Sequence, residues 1–411
     1  MAGRHRILYL DTAPTVGGSV VSLYELLRKL DRTRYDPLVV VYAPHEYVER
    51  FRAWGVEVVV WNVYQSADHR PAWMRQTRTS PAARWLRQAS WGSSLYHAPG
   101  FAALLVRRVW PRARALQRII VQQKVDLVHT NIRVGHDREG IIAARLAGVP
   151  CVCHVRHFET LGWFDRRLAS SVASFIYISE AVQKTHLGCG VPRAKGRVVY
   201  NGLDVSAFVS GLDRGRGRQI LNLAPGDLAG GLVGRLEPWK GHEVFLRAIA
   251  QLRQQVPRAR GVVIGDPVPH EPDYPSRLSA LRDELGLSEA VVFSQFRMDL
   301  SRVMSALDVL VLASVEPEPF GRVLIEAMAA GKPVVATDAG AAREIIEDGV
   351  QGFLVPCGDA QALARAVVRA LIPSDLAMAM GQRGQARVRE RFDAQQYVDG
   401  VQAVYGELLA A

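Results

Sequence analysis

Cysteine is scarce in this chain: 411 residues hold four, Cys151, Cys153, Cys189 and Cys357. That excludes a disulfide-stapled scaffold. Cys151 and Cys153 would share one face of a strand, but no second close pair completes a zinc site. The expectation is buried thiols in a reducing cytoplasm. Long apolar runs are missing too. Nowhere do about eighteen uncharged apolar residues follow one another, so no spanning helix is expected. The opening "MAGRHRILYLDTAP" reads as a first strand rather than a signal peptide. No D-x-D metal motif occurs. "TVGGSVV" (15–21) places a Gly-Gly turn after that strand, but it is not G-x-G-x-x-G, which disfavours a dinucleotide oxidoreductase. Acid is absent between Asp68 and Asp126, where eleven Lys or Arg and Trp73, Trp85, Trp91 and Trp110 lie.

What is present is globular: 49% hydrophobic and 22% charged residues over a length that exceeds one ordinary core. The charge is divided unevenly. Residues 1–205 carry 29 Lys and Arg against 15 Asp and Glu, and residues 206–411 carry 22 against 25, so the net +11 resides in the first half. Basic side chains mixed with Trp and Leu suit an anionic membrane surface, which Arg107, Arg108 and Trp110 would meet. No helix-turn-helix, zinc-finger or RNP pattern accompanies the charge, so nucleic acid is not the expected partner.

The first half alternates strand-like runs at 6–11, 36–43, 56–61, 125–131 and 150–155 with helical patterns at 19–30 and 138–148. "SFIYISEAVQKTHLG" (174–188) reads as strand then helix, and "GRVVYNGLD" (196–204) as a last strand and turn. A Gly- and Arg-rich stretch at 211–218 reads as a linker, after which the alternation restarts. It ends in helices at 360–371 and 394–410. Alternation of this kind predicts α/β architecture, two doubly wound Rossmann-like domains facing across a cleft. The expected division is 1–208 with an inserted basic segment near 65–124, then 219–390, with 391–411 packing back on the first domain. Ligands of open α/β sheets sit beyond the carboxyl ends of strands, so the loops after strands are the informative ones.

Two of them stand out. "GRLEPWKGH" (234–242) offers Arg235 and Lys240 with Gly234 and Gly241 at the start of a helix, a combination suited to phosphate. "EPEPFGRVLIEAMAAGKPVVATDAG" places Glu318 in a loop and Glu326 in the helix after it, carboxylates suited to sugar hydroxyls. Val323, Leu324, Ala327 and Met328 would form that helix's buried stripe. Cations for a diphosphate and carboxylates for hydroxyls together match a nucleotide sugar.

These motifs, with "EIIEDGVQGFLVPCGD", "IYISEAVQKTHLGCGV" and "VVYNGLDVSAF", resemble the retaining family 4 glycosyltransferases of GT-B fold, with their E-x7-E spacing. The resemblance covers roughly half the chain, mainly 174–208 and 231–359. It implies a glycosyltransferase that moves a sugar from a nucleoside diphosphate sugar to a hydroxyl of a glycan or lipid-linked saccharide, in polysaccharide or glycoconjugate synthesis. It further implies metal independence and no cofactor. By position, Arg235 and Lys240 would hold the diphosphate and Glu318 the donor sugar. Glu326 would hold the ribose, with Gly17, Gly18, Phe320 and Gly321 lining the donor site. His154 would lie near the transferred sugar, and His129, Arg156 and His157 are acceptor candidates. The expected location is cytoplasmic, peripheral on the inner face of the membrane. The chain departs from the family pattern at Ser294-Gln295-Phe296, where Gly is frequent, and at Ala341, where a second Gly is usual. A GT-B epimerase and a non-catalytic nucleotide-binding protein are the rival readings.

Overall fold

The computed structural model describes residues 4–63, 100–372 and 374–410. Trp73, Trp85 and Trp91 lie outside the described residues. The chain divides into two compact units, one of Met1–Tyr177, Gln183–Val198 and Gly400–Ala411, the other of Ile178–Val182 and Val199–Asp399.

Among the described residues, the first unit is built on seven strands: β1 (His5–Asp11), β2 (Tyr35–Val41), β3 (Glu57–Val60), β4 (Leu127–Thr130), β5 (Cys151–Val155), β6 (Ser174–Tyr177) and β7 (Gly196–Val198). They lie in the order β3-β2-β1-β4-β5-β6-β7, every pair parallel. The run Leu38–Val41 is buried because a parallel sheet is covered on both faces, which is why it has no polar alternation. Residues 400–410 close this unit. The side chain of Gln402 accepts the Asp31 N–H at 2.8 Å, and the ring of Tyr405 packs edge-on to Tyr35.

The second unit carries six parallel strands: β8 (Leu228–Val233), β9 (Ala259–Ile264), β10 (Val291–Ser294), β11 (Val309–Leu312), β12 (Val334–Thr337) and β13 (Gly352–Val355). Their order is β10-β9-β8-β11-β12-β13. The helix His242–Gln255 buries Phe245, Leu246, Ile249 and Leu252 at a helical period and packs on Ala360–Leu371.

Three expectations need correction. The stretch 211–218 is no linker: Arg214–Ile220 is a helix. Asp213 caps it by accepting the Arg216 N–H at 2.9 Å, and Arg214 binds the carbonyls of Ser305 and Leu307 and the Asp308 carboxylate. Gly217 lets it approach the helix Leu300–Ala306, since a Cβ there would lie 2.2 Å from the Arg302 carbonyl. The helix Ser374–Arg391 has no apolar stripe to announce it. It packs through Gly381 and Gly384 beside Met380 and Val388. Of the thiols, Cys151 and Cys153 are buried in β5, but Cys357 is exposed because it follows β13 in a turn.

Candidate functional site

In the second unit, strand order reverses between β8 and β11, which are neighbours although β9 and β10 lie between them in sequence. The loop after β8 and the loop after β11 therefore emerge side by side at a switch point, where open α/β sheets hold ligands. Glycine makes their approach close. Gly241 has φ +72°, and a Cβ on it would sit 1.9 Å from the Ala313 carbonyl oxygen. Gly340, at φ +64°, would drive a Cβ to 2.2 Å from the Glu318 carbonyl oxygen. The Val315 N–H donates to the Trp239 carbonyl at 2.8 Å, tying one loop to the other.

This puts Lys240 and Glu318 together. The Lys240 Nζ lies 2.8 and 3.1 Å from the two Glu318 carboxylate oxygens. The Ser314 hydroxyl donates to the same carboxylate at 3.0 Å, and the ammonium stands 4.0 Å from the Trp239 ring centroid. Arg235, on the β8 loop, pairs at 3.2 Å with Glu237, a buried carboxylate that also accepts the Trp239 indole N–H at 2.6 Å. Sequence reasoning missed Ser314, Glu237 and Trp239. Their positions beside the charged residues were the available signal.

Glu326 is buried on the helix Arg322–Ala329 and pairs one turn back with Arg322 at 3.5 Å. Burial raises its carboxyl pKa, partly offset by Arg322. That helix is covered more widely than the expected stripe. Leu324 through Ala329 are all buried, while Val323 is only half-buried. Phe320 does not line an open surface: its ring is buried near Tyr200 and Phe392 and anchors the loop. Gly321, at φ +89°, turns the chain into the helix. Glu344 accepts the N–H groups of Glu180 and Ala181 at 2.8 and 2.9 Å, a helix-start contact.

In the first unit, Gly17 precedes the helix Gly18–Lys29 in extended conformation, with open space around its Cα. His154 on β5 and His129 on β4 are fully buried neighbours. An Arg156 N–H lies 3.3 Å from the His154 Nδ1, and a guanidinium only donates, so Nδ1 accepts and the ring proton sits on Nε2. The His129 Nε2, 3.3 Å from the same Nδ1, then donates. The His129 Nδ1 lies 2.6 Å from the Tyr405 hydroxyl, which in turn lies 3.2 Å from the Tyr9 hydroxyl. Burial, then Arg156, holds the His129 pKa down at about 3, and burial followed by Arg156 and His129 holds His154 well below its ordinary value. Both imidazoles are neutral. Arg156 is itself buried, its Nε donating to the Asn131 side chain at 2.9 Å, whereas His157 is exposed. Past β4 and β5, a cavity of about 460 Å³ is lined by Arg133, His136, Arg138, Thr160 and Thr185 among others. Arg107, Arg108 and Trp110 are exposed on a helical stretch of the same unit.

Two family models match. Residues 214–387 match "Glycosyl transferases group 1", and residues 16–207 match "Glycosyltransferase Family 4". The D-inositol 3-phosphate glycosyltransferase of Mycobacterium marinum is 32% identical over 273 residues, covering 66% of this chain and 56% of that protein. The protein of the same description from Actinosynnema mirum is 30% identical over 317 residues, covering 76% and 74%. Against the mycobacterial relatives, then, the chain spans little more than half their length. Anabaena HepE, solved in complex with UDP and glucose, shares 26% identity at a TM-score of 0.78, with 98% of this chain and 100% of that one covered. The fold is that of the GT-B glycosyltransferases. The chain belongs to glycosyltransferase family 4.

Proposed function

We propose that this protein is a retaining glycosyltransferase that moves a sugar from a nucleoside diphosphate sugar to a hydroxyl of a glycan or lipid-linked saccharide, in polysaccharide or glycoconjugate synthesis. The observation that carries the reading is the Lys240–Glu318 contact between the loops after β8 and β11. A cation and a carboxylate held this way match the diphosphate and the adjoining hydroxyls of one donor. The complex of HepE with UDP and glucose supports a uridine nucleotide as the first donor class to test.

The barrier lies in separating sugar from phosphate as charge develops on both. Lys240 and Arg235 stabilise the departing diphosphate as preorganised cations, so the reaction proceeds without a metal ion. Glu318 holds the donor sugar and Glu326 the ribose. Gly17 and Gly18 provide close backbone approach to the phosphates. Attack and departure occur on the same face, and the leaving phosphate accepts the acceptor's proton. His154, with its proton on Nε2, is a hydrogen-bond donor to the sugar rather than a base. The polar cavity past β4 and β5 receives the hydroxylated part of the acceptor. The protein works in the cytoplasm, attached peripherally to the inner face of the membrane.

The test is incubation of the purified protein with labelled UDP-sugars, alone and with candidate glycan and lipid-linked acceptors. Free UDP and a new α-linked product from an α-linked donor are expected. Inversion at the transferred carbon would end the retaining assignment. Donor isomerisation without transfer would replace the whole reading with epimerisation.

A further inference from the structure

The helical run 100–122 contains a π-helical stretch, Leu105–Val109, and continues as the helix Trp110–Gln122. Together with the helix Trp163–Ala169 and part of Arg138–Ala147 it borders a groove of about 630 Å³, whose walls are nearly all apolar. Large apolar side chains stand out at its rim: Trp163 is 76% exposed, Val106 69% and Trp110 47%. Exposing this much indole and aliphatic surface in one place is unfavourable in water and marks an interaction surface.

The charges around it have one sign. Arg107 and Arg108 are exposed on the π-helical stretch, Arg145 and Arg167 line the groove, and the Arg114 guanidinium stands 5.1 Å from the Trp110 ring. Carboxylates on the three elements are already engaged. Asp165 is bound twice by Arg138, at 2.7 and 2.8 Å. Glu139 is buried, 3.6 Å from Arg112 and hydrogen-bonded by the Tyr42 hydroxyl. Residues 100–122 contain no acid at all.

We infer that this groove and its arginine rim dock on the surface of an anionic phospholipid bilayer, with Trp110 and Trp163 at headgroup depth and the arginines on lipid phosphates. Indole suits that position because its ring is apolar and its N–H stays wet. The arginines complement anionic headgroups, while their stems reach along the apolar wall. A second copy of the chain fits less well, because a two-fold interface would bring the same arginines face to face. This rests on the peripheral-membrane reading above and names its surface.

The experiment is flotation of the full chain with phosphatidylglycerol-containing vesicles and with pure phosphatidylcholine vesicles. Binding to the anionic vesicles is expected to be at least about tenfold stronger and to weaken in about 0.5 M salt. Trp163→Ser should reduce it about tenfold, with circular dichroism confirming the fold. Arg107→Glu with Arg108→Glu, at exposed positions, carries the same test should Trp163→Ser not fold. Full binding by the folded variants would overturn this surface and leave peripheral attachment standing. No wild-type binding to either vesicle would end both, without touching donor turnover, which is read separately by UDP release. A dimer in light scattering that Trp163→Ser dissociates would assign the groove to a second copy and overturn the proposal.

Discussion

Two polar clusters, one in each unit, are satisfied in different ways. Beyond β8 and β11, charged side chains hold one another: Lys240 with Glu318, Arg235 with Glu237, Glu326 with Arg322. Across β4 and β5, neutral groups hold one another, with Tyr405, His129 and His154 in line and a single guanidinium beside them. An ion pair between ligand-binding loops can be exchanged for a ligand's own charges, since the ligand brings the replacement. A buried neutral relay cannot be exchanged; it fixes the side of a ring that carries the proton. The first arrangement suits reversible capture of a charged donor, and the second suits constant orientation of one group.

The strongest way to break this contrast is Lys240→Ala. It removes a diphosphate cation, and donor-dependent turnover should fall by about a hundredfold or more. It also strands a mostly buried carboxylate, so stability should drop by roughly 1–3 kcal/mol in denaturant titration. Adding Glu318→Gln should restore most of that stability and none of the turnover. Recovery of both would make the pair purely structural.

Next in size is the relay. His154→Ala should lower kcat about tenfold or more while donor KM changes little, because one directional donor is lost and the diphosphate contacts remain. Tyr405→Phe keeps the ring packing but leaves the His129 Nδ1 without its hydroxyl, at a cost of about 1–2 kcal/mol. Nitrogen-15 spectra of labelled histidine should then show a changed tautomer at His129. An unchanged tautomer with unchanged kcat would reduce the relay to packing.

The smallest effect on turnover sharpens the contrast through pH. Burial pushes Asp137 up to about 7, against hydrogen bonds from Thr12, Ile132 and Arg133 that pull it down. Because its folded pKa lies above its unfolded value, its contribution to stability is complete below about pH 4 and is lost as pH rises through about 7. The slope should approach 1.4 kcal/mol per pH unit in that window. Asp137→Asn can keep the same partners and should flatten this part of the stability curve. A slope that survives the substitution would assign the pH dependence to another group.

Much of the architecture was legible because buried parallel strands write continuous apolar runs, as at Leu38–Val41, and because amphipathic helices write a 3.6-residue period, as in His242–Gln255. Two of the helices that escaped notice are stabilised by other means. Arg214–Ile220 depends on arginines reaching distant carbonyls, and Ser374–Arg391 on glycines that permit backbone contact. Neither device has a period. At the candidate site, Lys240 and Glu318 were legible as chemistry following strands. Their 2.8 Å contact was not, because it depends on β8 and β11 being neighbours. The part of Tyr405 was beyond reach for the same reason: it lies 276 positions from its partner.

That distant tyrosine has a consequence for biosynthesis. Residues 400–410 complete the core of the first unit, so its sheet must wait, with Tyr9, Tyr35 and His129 uncovered, until the whole second unit has been translated. Nascent chains halted anywhere before residue 400 should be clients for chaperones that recognise aromatic surface.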